Sequence, residues 1–132
     1  MRFIILLLLS MISYGSFADD GYRLWLKYDR IKNETLRKNY AQKLTTVSTN
    51  FSDETAKVTI SEIQKATAGL LGFTSKTMTS GSQANLVLKV GSIENKNAEA
   101  FEIKSSKNQI NITANTSKGV LYGVFELIRR MQ

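Results

Sequence analysis

Histidine, cysteine and proline are all missing from this 132-residue chain, and each absence removes a class of chemistry or structure. Without His there is no Ser-His-Asp triad, no H-E-x-x-H zinc site and no imidazole base. Without Cys there is no thiolate nucleophile, no zinc finger, no iron–sulfur ligand and no disulfide framework. Zero Pro and only eight Gly exclude collagen and Pro/Gly-rich low-complexity chain. Acid–base chemistry is left to carboxylates, Lys and Tyr. Among what is present, 42% apolar residues over this length describe one globular domain with its own core and leave no room for a multidomain enzyme.

The charge is one-sided, with 18 Lys and Arg against 11 Asp and Glu, a formal +7. Such an excess raises nucleic acid or an anionic surface as partners. The distribution argues otherwise: Arg37-Lys38 and Arg129-Arg130 are the adjacent basic pairs and the rest are scattered singles. No stripe forms that would neutralise a run of phosphates, so a solvated Lys-rich surface and no nucleic-acid partner are expected.

The first 18 residues read as a secretory signal peptide. Met1-Arg2 is a short positive start, Phe3 to Leu9 is an unbroken apolar run extended by Met11 and Ile12, and Ser16-Phe17-Ala18 supplies small residues at the cleavage positions. The apolar stretch is far short of the roughly 20 residues that span a bilayer. Cleavage after Ala18 is expected, giving an exported, periplasmic or extracellular domain over residues 19–132 with no membrane attachment after processing. Without disulfides, that domain relies on its core alone or on packing against something larger.

Apolar spacing predicts two helices. Ile60, Ile63, Thr67, Leu70 and Leu71 recur at helical intervals behind Ser52, Asp53 and Glu54 as cap and acidic first turn, with Gly72 as the stop. Val120, Leu121, Val124, Phe125, Leu127, Ile128 and Met131 mark a second helix, capped by Ser117 and closed by Arg129-Arg130 at the negative end of its dipole. Its apolar residues cover more than the stripe that one docked face requires, and Leu127 is expected to point outward. Strands are predicted over Lys43 to Phe51, Thr74 to Thr79, Asn85 to Ser92, Ala98 to Ser105 and Gln109 to Asn115, the last two joined by a turn at Ser106-Lys107-Asn108. The fold class is therefore α/β (α+β), a small mixed β-sheet with two helices packed on one face.

The densest aromatic and charged segment runs from Asp20 to Asp29. In an extended chain Tyr22, Leu24, Leu26 and Tyr28 point one way and Arg23, Trp25 and Lys27 the other. Tyr22, Trp25 and Tyr28 are candidates to stack on sugar rings; alternatively they anchor this arm to a neighbouring surface. The carboxylate pairs are Asp19-Asp20, Asp53-Glu54 and Glu99 with Glu102, and each has a plain explanation in a terminus, a helix cap and a solvent-facing strand. None is singled out as an acid/base pair of a glycosidase, so no catalytic, metal or cofactor site is expected. Gly119-x-x-x-Gly123 lacks the dinucleotide-binding spacing; these glycines let a helix backbone approach the sheet. Four Asn-x-Ser/Thr sequons, at Asn33, Asn50, Asn111 and Asn115, are expected by chance in an Asn- and Thr-rich chain.

Three separated stretches resemble one known family. DGYRLWLKYDRI at Asp20 to Ile31, AGLLG at Ala68 to Gly72 and GVLYGVFELIRRMQ at Gly119 to Gln132 are similar, in order and spacing, to the N-terminal domain of the alpha-glucuronidases of glycoside hydrolase family 67. The last helix taken alone is also similar to its counterpart in beta-hexosaminidases. The resemblance implies a small α/β domain like that of beta-N-acetylhexosaminidases, set before a (β/α)8 barrel. That barrel, in cis or encoded downstream, removes 4-O-methylglucuronic acid from xylan-derived oligosaccharides by an inverting mechanism and holds both catalytic carboxylates. No catalytic position is carried over onto any residue here. The abrupt stop at Gln132 after an apolar helix leads us to expect a fragment or separately encoded piece of a secreted alpha-glucuronidase, inactive alone. The alternative is a free-standing exported carbohydrate-binding or scaffold module.

Overall fold

The computed structural model describes residues 25–79 and 83–132; the signal segment and Tyr22 lie outside them. Five strands form one sheet, β1 (Thr46–Thr49), β2 (Lys76–Thr77), β3 (Leu86–Val90), β4 (Phe101–Ser105) and β5 (Ile110–Ala114), in the spatial order β2-β1-β3-β5-β4. The four strands β2, β1, β3 and β5 are parallel, and β4 closes one edge antiparallel to β5. The mixed sheet is the expected one. The turn between β4 and β5 is also as predicted, with the Ser106 N–H donating to the Gln109 carbonyl at 2.8 Å.

Among the described residues three α-helices of a turn or more follow the arm, one more than the apolar spacing predicts: α1 (Glu34–Leu44), α2 (Glu54–Ala66) and α3 (Ser117–Met131). The first was missed because it buries only Leu44. It rests on local terms instead: good helix formers, an Asn33 cap whose Oδ1 accepts from the Leu36 N–H at 3.0 Å, and an i,i+4 pair between Glu34 and Lys38. The predicted first strand accordingly began too early, since Lys43 and Leu44 belong to α1.

Helix α2 starts as predicted, with the Asp53 carboxylate accepting from the Ala56 N–H at 2.9 Å. Beyond Ala66 it widens into π-type turns over Thr67–Leu71, and Gly72 ends it in the left-handed region (φ 84°), where an L side chain is strained and glycine is not. The cap of α3 is Thr116, one residue before the Ser117 expected: its Oγ1 accepts from the Gly119 N–H at 3.1 Å.

The sheet's two faces follow from strand alternation and register. One carries Val47, Leu86, Leu88, Ile110, Ile112 and Ala114, all buried. Upon it sit Val120 and Val124 of α3, Ile63, Ala66, Leu70 and Leu71 of α2 and its extension, and Leu44 of α1, in one continuous core. The opposite face presents Lys89, Glu102, Lys104, Asn111 and Thr113, in register with one another. The close approach expected of the two α3 glycines is present. A Cβ on Gly123 would stand 2.5 Å from Ile112 Cγ2, and one on Gly119 would stand 2.8 Å from Ala114 Cβ.

Candidate functional site

The segment before α1 is a short arm laid over the helices. Leu26 is buried in the core, while Trp25 beside it is 75% exposed. Tyr28 turns the same way as Leu26, as the alternation predicted, and its hydroxyl donates to Oε2 of Glu62 at 2.7 Å. Glu62 is itself buried on α2 and also accepts from Lys65 at 2.9 Å. The arm is further pinned where the Ile31 N–H donates to the Leu70 carbonyl at 3.0 Å and the Lys27 N–H to Oε1 of Gln132 at 2.8 Å.

Trp25 and Tyr28 therefore do not converge. Tyr28 holds the arm to α2, and Trp25 stands at the rim of a groove of about 520 Å³ lined by Trp25, Leu26, Phe101, Tyr122, Phe125, Glu126 and Arg129. The groove exists because α3 turns one row of residues into the core and leaves Tyr122, Phe125 and Arg129 beside it, with Phe125 half-buried against the core's edge. Phe101 reaches it from β4, the edge strand. Leu127 does not point outward, contrary to expectation. It is 8% exposed and belongs to the core, so the partly buried apolar residues of the helix are Leu121, Tyr122 and Phe125, the last packed against the core's edge. The sequence pattern alone left their side undecided, because α3 is apolar around most of its circumference.

The polar residues of the groove satisfy each other. Glu126 accepts from Nε of Arg129 at 2.7 Å, from its Nη2 at 2.8 Å, and from Nε of Arg130 at 2.7 Å. These hydrogen bonds, Arg129 first and Arg130 next, hold its carboxyl well below the usual range, at about 2. It is a fixed anion and a poor proton donor at neutral pH.

Four further carboxylates are engaged structurally. Asp53 caps α2, and a hydrogen bond from Ser117 at the start of α3 is the main cause lowering its pKa, with the Ala56 N–H adding to it. Glu54 pairs with Lys57 at 2.6 Å, Glu99 with Lys118 at 2.6 Å and Glu102 with Lys104 at 2.7 Å. Asp19 and Asp20 lie outside the described residues. The groove is lined by one carboxylate, Glu126, where glycoside hydrolysis requires two. What the groove offers is an apolar, aromatic surface with a charge-neutralised rim, suited to burial against another surface.

The family model described as Glycosyl hydrolase family 67 N-terminus matches residues 24–127. The chain belongs to this family. Its domain is thus an accessory domain of an alpha-glucuronidase-family protein, the kind that accompanies a catalytic domain in the same enzyme. The match covers the described arm from Trp25, the five strands of the sheet and most of α3, and with them every groove residue but Arg129. No curated protein matches the chain.

Proposed function

We propose that this chain is the N-terminal accessory domain of an exported alpha-glucuronidase that releases 4-O-methylglucuronic acid from xylan-derived oligosaccharides, with the chemistry carried by a separate catalytic barrel. The family 67 match over residues 24–127 carries the reading. It is supported by the engagement of Asp53, Glu54, Glu99, Glu102 and Glu126 in a cap and ion pairs and by an aromatic groove that suits a protein partner. Export rests on the signal segment, and the processed protein is expected to begin at Asp19, which mass spectrometry of the secreted or periplasmic form reads directly.

The test is an assay of aldouronic acids with the purified chain, alone and joined to a family 67 catalytic domain. No release of glucuronic acid by the chain alone and release by the joined protein are expected. Turnover by the chain alone, in the range of about 1 to 1,000 per second typical of enzymes, would overturn the assignment.

A free-standing carbohydrate-binding module is the second reading, and the exposed Trp25 ring is the observation in its favour. Trp25 is the sole tryptophan of the chain. Its fluorescence would therefore change saturably with aldouronic acids if it stacked on sugar, and stay constant under the accessory reading.

A further inference from the structure

We propose that the groove formed by Trp25, Phe101, Tyr122 and Phe125 is the seat of the catalytic domain, an inference that deepens the accessory-domain reading and rests on it. The chemistry of the lining selects this occupant. Apart from Glu126 and Arg129 every residue there presents an aromatic or aliphatic surface, and those two are bonded to one another. A sugar entering the groove would find few partners for its many hydroxyls, the polar atoms there being the Tyr122 hydroxyl, the Trp25 indole N–H and the already paired Glu126 and Arg129. An apolar protein surface needs no such partners, and aromatic anchors flanked by Arg are the composition that carries binding energy at protein interfaces.

Position points the same way. The family match ends at Leu127, inside α3, so in the order of a family whose domain is named for the N-terminus, the chain leaves this unit along α3. The helix that floors the groove is then also the tether. A partner attached at its end meets the groove at high effective concentration, and a modest contact area suffices to hold it. The opposite sheet face is a poorer seat, since around the half-buried Val87 it presents the polar Lys89, Glu102, Lys104, Asn111 and Thr113.

The experiment joins the chain through Gln132 to the catalytic domain of a family 67 alpha-glucuronidase, in place of that enzyme's own N-terminal domain. Hydroxyl-radical footprinting read by mass spectrometry then compares the fusion with the free chain. Oxidation of Trp25, Tyr122 and Phe125 is expected to fall several-fold in the fusion, while Met78, exposed and remote from the groove, is oxidised equally in both. Introducing Phe125→Lys into the fusion should restore oxidation of Trp25. An active fusion in which Trp25 and Tyr122 are oxidised as in the free chain would overturn the groove as the seat and leave the accessory reading standing. An inactive fusion would count against that reading and the groove together. Protection of Trp25 that grows with the concentration of the free chain and is unaltered by fusion would assign the groove to a second copy and overturn the proposal.

Discussion

Individual side chains in this domain do two jobs, closing packing distances and fixing charge, and both are testable. Gly123 lies where α3 crosses the sheet, and a methyl group there would meet Ile112 Cγ2 at 2.5 Å and the Phe101 ring at 3.3 Å. Helix propensity alone would reward Gly123→Ala by up to about 1 kcal/mol, but overpacking costs about 1 to 3 kcal/mol. Because the contact is with a strand side chain in the core, the second effect prevails and net destabilisation is expected in a denaturant melt. An unchanged or raised midpoint would show that α3 can lift off the sheet at no cost. Glu126 tests the charge. Its pKa, lowered from 4.5 to about 2, means the folded state binds its proton less readily than the unfolded chain does. The contribution is therefore complete above about pH 4.5 and lost as pH falls through about 2. Carboxyl carbon shifts followed by NMR should place the Glu126 midpoint near 2; a midpoint near 4.5 would mean that the paired arginines are not held in solution.

At the level of elements, what the sequence made legible was whatever depends on period. The alternation in Leu86-Val87-Leu88 and Ile110-Asn111-Ile112, the Asp53 cap, the Gly72 stop and the glycine contacts of α3 are all direct readings of local chemistry, and they place the sheet and two helices. Helix α1 was not legible by that route, because a helix with one buried residue has almost no stripe; its cap and helix formers were the available signal. The groove was legible only as an excess. Seven apolar positions on α3 announced a second contact surface, but which of them face it depends on how the helix is rotated on the sheet, a tertiary choice. Hence Leu127 was assigned outward although it is core, and the pairing of Trp25 with Phe101 from an edge strand was invisible before folding. The corrected rotation makes a comparison. Val124, fully buried, should lose on the order of 2 to 3 kcal/mol as Val124→Ala, from two lost methyls and the cavity they leave. Phe125→Lys, at the half-buried groove wall, should cost less than that and raise solubility. Leu127→Lys should destabilise strongly, since it places an ammonium in the core. Equal midpoints for the Phe125 and Leu127 lysine variants would contradict this rotation of α3.

The described residues are two-sided in a particular sense: the helical layer both closes the core and carries an aromatic groove, while the other sheet face is mainly polar, with Val87 half-buried and Ser48 buried among its residues. A mostly parallel sheet is normally covered on both faces, and here the residues in register on the second one, Lys89 with Thr113 and Thr113 with Glu102, suit water. The demand for a partner therefore falls on the groove. Trp25, Phe101, Tyr122 and Phe125 gather around a space of about 520 Å³, with the Trp25 ring exposed and Phe101 and Phe125 half-buried against the core, and aromatic surface left in water in this way favours association. The net charge of +7 opposes contact between copies, and more so at low salt, where its field is unscreened. The isolated chain should thus self-associate weakly, with sedimentation velocity showing a shift to larger species as protein concentration and salt both rise, and should bind a dye that reports apolar surface. Phe125→Lys should reduce both signals together while leaving the far-ultraviolet circular dichroism intact. A monodisperse monomer at high salt without dye binding would mean that the groove is content in water, and would favour the free-standing module over the accessory domain.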